Sequence, residues 1–278
     1  MNIVELLKLR GLDTSANIKL VRHQDKRYNL QELYSKNKLD IYQSYQGKDV
    51  FNCDYVVSFL GTEGTRAVFI GVYQVLGKKD AKEVEPPENL LDPVFYQDSK
   101  FFYELKPLEG FEDYKDRLII DWGSATLSWH QYLSEKEVIE ILPKGYVKEF
   151  PGFLDFILSY YELKKLISNP EANREWHRML SSVGGIYLIV DKLTGKQYVG
   201  SAYGEDGIWG RWANYAKSGH GGNELLKKLL ENNQEYCDNF LYSILQTLPK
   251  HLTKNEIIQK ESFFKEKLGS RAFGLNIT

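Results

Sequence analysis

Three stretches of the chain carry side chains whose type and spacing could do chemistry. Residues 184–200 hold Tyr187 and Tyr198, with Lys196 two positions before the second tyrosine. If two β-type runs pair around the turn-forming residues 191–195, the tyrosines stand opposite each other. Lys196 then shares the face of Tyr198, because strand side chains repeat with period two. Two phenols and an ammonium can orient or move a proton, but they can equally be strand packing in a chain with 19 tyrosines. Glu261 shares a helix face with Ile257, Phe264 and Leu268. A carboxylate in an apolar stripe is costly unless it is paired or bound to a cation, so it is either a metal or catalytic group or half of a buried ion pair. Arg211 and Tyr215 are four apart and so are surface neighbours on a helix. With Trp209 and Trp212 beside them, they read on their own as an amphipathic helix whose tryptophans are core and whose arginine is solvated.

The elements that must position these groups follow from local signals. Residues 185–190 and 196–200 read as strands joined by the turn DKLTG. Helices are predicted over 207–217 and 223–232, the second with Leu225, Leu226, Leu229 and Leu230 as its apolar face. A third strand covers 240–245, and the last helix opens with the capping box Thr253/Glu256 and ends before Gly269. Upstream, residues 152–180 show a helical stripe of Phe153, Phe156, Ile157, Tyr160 and Tyr161, continued by Leu163, Leu166 and Ile167. Asn169-Pro170 breaks it, and 171–180 reads as a second short helix. Residues 17–150 are rich in β-type runs. Residues 50–60 and 66–76 form a hairpin around GTEGT, with further strands at 118–122 and 127–129, a short helix at 30–39 and an exposed loop over 78–93.

In order, GIY at 185–187, YVG at 198–200, Arg211, Glu261 and Asn276 resemble the GIY-YIG nuclease family over about 95 residues. The stretch YVGSAYGEDGIWGRWANY looks most like the members that act as restriction endonucleases. The resemblance implies a small α/β nuclease domain with a three-stranded sheet. It implies Glu261 as the single protein carboxylate on a divalent cation, Mg²⁺ or Mn²⁺, a hard ion suited to an oxygen-only, largely hydrated site. Arg211 would clamp the phosphate, Tyr187 and Tyr198 would orient or deprotonate the attacking water, and Lys196 would assist Tyr198 or be the base itself. The resemblance further implies that Tyr215 positions phosphate or water and that Asn276 supports the site.

The first half carries a second resemblance, through AVFIGVYQVLG (67–77) and LIIDWG (118–123), to small β-barrels of the PUA/EVE/ASCH group, several of which hold a flipped or modified base. It implies base contact by Phe69, Tyr73, Trp122 and Trp129, which as barrel residues are equally core. Arg22 and His23, with Arg27, could touch phosphate or form a solvated basic turn.

The resulting expectation is an α+β chain: a mostly β, barrel-like recognition domain over 1–150, a helical linker over 151–183, and a nuclease domain over 184–278. The formal charge is -2. Residues 184–278 hold 12 Lys+Arg against 10 Asp+Glu, and the remainder 24 against 28, which argues against holding nucleic acid by bulk charge. No apolar run is long enough to span a membrane. Cys53 and Cys237 lack metal-ligand spacing and suit a reducing compartment, which points to the cytoplasm. The function expected is a DNA endonuclease of restriction or phage defence, homodimeric if it cuts both strands. A repair or mobile-element nicking enzyme and a non-catalytic nucleic-acid-binding protein are the alternatives.

Overall fold

The strand that starts at Arg66 runs 15 residues, about twice the length of the two strands along its edges, and the first part of the chain is organised around it. In a computed structural model, which describes residues 1–87, 93–125 and 127–277, the chain is a mixed α+β protein of two units, Met1–Pro143 and Lys144–Thr278.

The first unit comprises α1 (Ile3–Leu9), β1 (Ile18–His23), α2 (Leu30–Ser35), α3 (Leu39–Ser44), β2 (Tyr45–Gln46), β3 (Tyr55–Gly61) and β4 (Arg66–Asp80). It continues with α4 (Pro93–Asp98), β5 (Phe101–Pro107), β6 (Leu118–Asp121), β7 (His130–Tyr132) and β8 (Val138–Ile141). Its eight strands form one sheet with the path β2-β5-β4-β3-β1-β7, while β6 pairs with β4 and β8. The 15-residue β4 makes this possible: its start pairs with β6 and its end with β5, and β3 runs antiparallel along its other edge. The hairpin around GTEGT is therefore present. No ladder among the described residues closes the sheet into a barrel. Helix α1, opened by an Asn2/Glu5 capping box, buries Ile3, Leu6 and Leu7 against Leu20, Phe59, Phe69 and Trp122.

Three local expectations differ here. Lys78–Asp80 belong to β4 rather than to a loop, because they pair with Phe101–Tyr103; residues 88–92 of that expected loop lie outside the described residues. Residues 127–129 are not a strand. The strand is His130–Tyr132, which pairs with Lys19–Val21, while Leu127 stands 96% exposed. The expected helix at 30–39 is two, α2 and α3.

The second unit comprises β9 (Leu158–Ser159), α5 (Tyr160–Ser168), α6 (Arg174–Ser182), β10 (Gly184–Asp191), β11 (Gln197–Ala202), α7 (Gly207–Ser218), α8 (Glu224–Leu230), β12 (Phe240–Leu248) and α9 (Lys254–Lys267). Its sheet has four strands, β11-β10-β12-β9, all antiparallel neighbours. The fourth strand is two residues taken from the stretch expected to be helical. Phe153 and Phe156 precede any helix, and Leu158 pairs with Tyr242. Residues 151–183 are folded into this unit rather than strung before it, since Leu163, Leu166, Trp176 and Leu180 are buried in the same cluster as Tyr187 and Trp212. That cluster lies on one face of the sheet. Ile186, Val199 and Leu248 face the other way, against Ile257 of α9.

Candidate active site

Helix α7 starts at Gly207 and ends at Gly219 in the left-handed region, and over its length the tryptophans turn inward as a 3.6-residue period requires. Trp212 is fully buried and Trp209 nearly so. Arg211 does not go to solvent as the helix pattern suggests. Its Nε donates to the Tyr187 hydroxyl at 3.0 Å, its Nη2 to the Tyr215 hydroxyl at 3.2 Å, and its Nη1 to the Gly221 carbonyl at 2.8 Å. The two phenols share a hydrogen bond of 3.0 Å, and the guanidinium sits 4.9 Å from the Tyr215 ring centroid. A guanidinium has five N–H donors. Three are used here, so two remain among the described residues for an incoming anion. Each phenol has one proton and only one serves the Tyr–Tyr bond, which leaves one O–H to donate onward.

Glycine creates the space for this cluster. A Cβ at Gly200 would lie 2.5 Å from Tyr187 Cζ and 2.8 Å from Cε2, so the Tyr187 ring can lie over β11 only because position 200 has no side chain. Gly221, with φ +55°, likewise lets its backbone approach the Tyr215 ring, where a Cβ would meet Cε1 at 2.6 Å.

Burial dominates the electrostatics. Tyr187 and Tyr215 are both 0% exposed. Burial raises both phenols well above their ordinary value, and the neighbouring phenols raise them further. Arg211 and, for Tyr187, the Tyr215 hydrogen bond pull the other way without winning. Both are therefore neutral hydrogen-bonding groups near neutral pH. Tyr198 lies on the same face, 6.4 Å from Tyr187 between ring centroids. The register pairs Tyr187 with Gly200 and Tyr198 with Ile189, so the two tyrosines are diagonal neighbours and not directly opposite. Lys196 is exposed in the turn before β11.

Glu261 is held elsewhere. The capping box at Thr253 starts α9 as expected, and the helix brings Glu261 to Ser201, whose hydroxyl donates to Oε2. Lys265, one turn on, pairs with Oε1 at 2.8 Å. No hydrogen bond or ion pair joins Glu261 to Arg211, Tyr187 or Tyr215 among the described residues. The connection runs through β11: Ser201 follows Gly200, over which the Tyr187 phenol sits, and consecutive Cα atoms are about 3.8 Å apart. Along β11, positions 198 and 200 point to the arginine cluster, and 199 and 201 to α9.

Asn276 secures that strand. Its Nδ2 donates to the Val199 carbonyl at 2.8 Å and its Oδ1 accepts from the Val199 N–H at 2.9 Å. One side-chain amide thus replaces a strand partner along the free edge of β11, aided by Leu275 N–H on the Gln197 carbonyl. Ser201, Gly200 and Gly221 are site residues that no spacing pattern in the sequence marks as such. YVGS itself was the only local hint of the first two.

No cluster of three or more His, Cys, Asp or Glu among the described residues could hold a metal ion. A cation here would have one carboxylate. Glu261 retains lone pairs beyond its two partners, and with the Ser201 hydroxyl it forms an all-oxygen pair of the kind a hard divalent ion takes.

In the first unit, the expected nucleic-acid contacts are mostly core. Phe69 and Trp122 are 0% exposed and Tyr73 is 4% exposed, with its hydroxyl on Asp40; side chains closed in this way cannot stack on a base. Arg22 is buried, with Nη2 on the Gly64 carbonyl at 2.8 Å. His23 is buried against Gln43 and Ser58, and burial lowers it to about 4. Neither is set out for phosphate. Arg27 is exposed but grips Asp25. Trp129 is half-buried and lines a cavity.

Comparison with solved structures finds the catalytic domain of the homing endonuclease I-TevI, 32% identical, covering 34% of this chain and 98% of that one, with a TM-score of 0.28. A mutant of the same intron endonuclease domain is 30% identical, covering 34% of this chain and 94% of that one, with a TM-score of 0.27. No family model matches the chain. No curated protein matches it.

Proposed function

We propose that the unit Lys144–Thr278 is a nuclease of the GIY-YIG type that hydrolyses DNA phosphodiesters with a divalent cation, in the service of restriction or phage defence. The observation that carries this reading is the fixed arginine: Arg211 is tied at three points, keeps two free donors, and lies across one strand from a carboxylate. Phosphodiester hydrolysis adds negative charge at phosphorus, and a preorganised guanidinium in a half-buried site stabilises it more than one that must be ordered during the reaction.

Within this scheme Tyr187 and Tyr215 hold Arg211 in place. Fully buried and neutral, they are poor bases. Orientation or deprotonation of the attacking water falls to Tyr198 and Lys196, the more accessible pair. Glu261, with Ser201, holds the cation, Mg²⁺ or Mn²⁺. When bound, such an ion polarises the phosphoryl group and acidifies coordinated water. Asn276 keeps β11 in register so that Gly200 and Ser201 stay on their respective faces. The first unit chooses the target, and cutting both strands would take two copies of the chain.

The test is plasmid cleavage in Mg²⁺ on unmodified, methylated and hydroxymethylated DNA. Cutting confined to one modification state supports a defence role. Site-specific nicking of unmodified DNA would favour a mobile-element or repair enzyme, and no cutting of any substrate would leave a binding protein.

A further inference from the structure

The three acceptors that hold Arg211 are two phenols and the Gly221 carbonyl, none of them a carboxylate. The guanidinium is therefore fixed without having its charge cancelled, as a site for an incoming anion requires. Tyr187 and Tyr215 are set by the core in which they are buried. The Gly221 carbonyl has no such support, because it belongs to the surface turn 219–222 between α7 and α8. Gly219, Gly221 and Gly222 in that turn have φ of 75°, 55° and 87°. So glycine-rich a backbone is free to turn its peptides, and something else must aim the carbonyl at Arg211.

Ser218, the last residue of α7, does so from one side. Its Oγ donates to the Asn214 carbonyl at 2.7 Å, accepts from the Gly221 N–H at 2.8 Å and, at 3.4 Å, from the His220 N–H. A hydroxyl has one proton and two lone pairs, and all three are used within the turn. The peptide on the N-terminal side of Gly221 is thereby pinned to the helix that carries Arg211. On the other side, His220 Nδ1 accepts from the Gly222 N–H at 2.9 Å, holding the peptide whose carbonyl Arg211 takes. The helix does not need this serine for its own end, since the Gly219 N–H already closes α7 on the Tyr215 carbonyl. Ser218 is exposed, so water would satisfy its hydroxyl at little cost. Its bonds go instead to the turn that anchors the arginine.

We propose that Ser218 is a positioning residue for phosphodiester cleavage: its hydroxyl holds the Gly221 peptide so that the carbonyl fixes Arg211 in the orientation that meets the phosphate. Ser218 touches neither the phosphate nor the guanidinium and acts only through the backbone of the turn. Its effect on turnover rests on the nuclease reading. Its hold on Arg211 does not, and can be read without any cleavage.

The experiment compares the full chain as wild type, Ser218→Ala and Ser218→Thr. Nuclear magnetic resonance follows exchange of the Arg211 Nε–H with water. Ser218→Ala is expected to speed that exchange about tenfold, the worth of one hydrogen bond, while the β10 amides exchange as in wild type. Ser218→Thr keeps a hydroxyl that bonds the carbonyl four residues back and is expected to match wild type. Plasmid cleavage in Mg²⁺ is then measured on whichever substrate wild type cuts. There Ser218→Ala is expected to lower kcat about tenfold or more at unchanged KM, since small misplacements of a catalytic group are costly, and Ser218→Thr to restore it. Arg211 exchange that is unchanged in Ser218→Ala overturns the proposal. A threonine variant as impaired as the alanine one, or a defect confined to KM, overturns it too. A wild type that cuts no plasmid defeats the nuclease reading instead, and the Arg211 exchange rates still decide whether Ser218 holds the arginine.

Discussion

Gly200→Ala tests the packing that sets the arginine. The added Cβ would fall 2.5 Å from Tyr187 Cζ and 2.8 Å from Cε2, closer than carbon atoms pack. Tyr187 has no room to retreat, being 0% exposed between Trp212 and Tyr215, whose centroids lie 6.3 and 5.9 Å from its own. Overpacking of this kind costs roughly 1–3 kcal/mol. If the phenol is pushed off Arg211, a hydrogen bond to a charged group worth about 1.5–3 kcal/mol goes with it. The expected loss when both occur is therefore about 2.5–6 kcal/mol in the second unit. Nuclease activity should fall about 100-fold because Arg211 is misplaced. The two units of the chain need not unfold together, so hydrogen exchange of β10 and β11 amides in the intact chain is the better readout. A double-mutant cycle with Tyr187→Leu isolates the clash: in that background Gly200→Ala should cost at least about 1 kcal/mol less. A Gly200→Ala protein whose exchange and activity match wild type, or a cycle with no coupling, refutes the reasoning.

Arg211→Lys keeps the charge but not the three-point fixation, and activity should drop about 100- to 1000-fold in a plasmid assay while circular dichroism is unchanged. Asn276→Ala removes two hydrogen bonds from Val199 and should cost about 1–3 kcal/mol, seen as faster exchange at Val199 than at β12 amides. His23 titrates near 4 when folded, against 6.5 when unfolded. The unfolded state therefore takes up the proton first as pH falls. The first unit should be at full stability above about pH 6.5 and lose about 3 kcal/mol by pH 4; His23→Gln should flatten that part of a denaturation-versus-pH profile.

The parts of the structure legible from sequence were those written in short range. The DKLTG turn, the Thr253/Glu256 capping box and the α9 stripe containing Glu261 depend on residues within a few positions of one another, and all three are present. Harder were the features fixed by partners distant in the chain. Phe153 and Phe156 have helical spacing, yet the backbone there is committed to bringing Leu158 alongside Tyr242. Trp122 and Trp129 look alike in sequence. One is sealed under α1 by residues more than 100 positions away and the other borders a cavity. Arg211 looked solvated because its helix pattern cannot show that Tyr187 and Gly221 stand ready to receive it. Ser201 was missed because a single serine has no periodicity, and its meaning comes only from the carboxylate 60 residues on.

The most direct measurement is Mg²⁺-dependent cleavage of the plasmid panel by wild type beside Glu261→Ala and Arg211→Ala, all shown folded by circular dichroism. The account predicts that wild type cuts at least one substrate only when Mg²⁺ or Mn²⁺ is added, and that each substitution lowers the rate at least about 100-fold. Cleavage that survives Glu261→Ala or Arg211→Ala at the wild-type rate, or that proceeds equally in chelator, would contradict it.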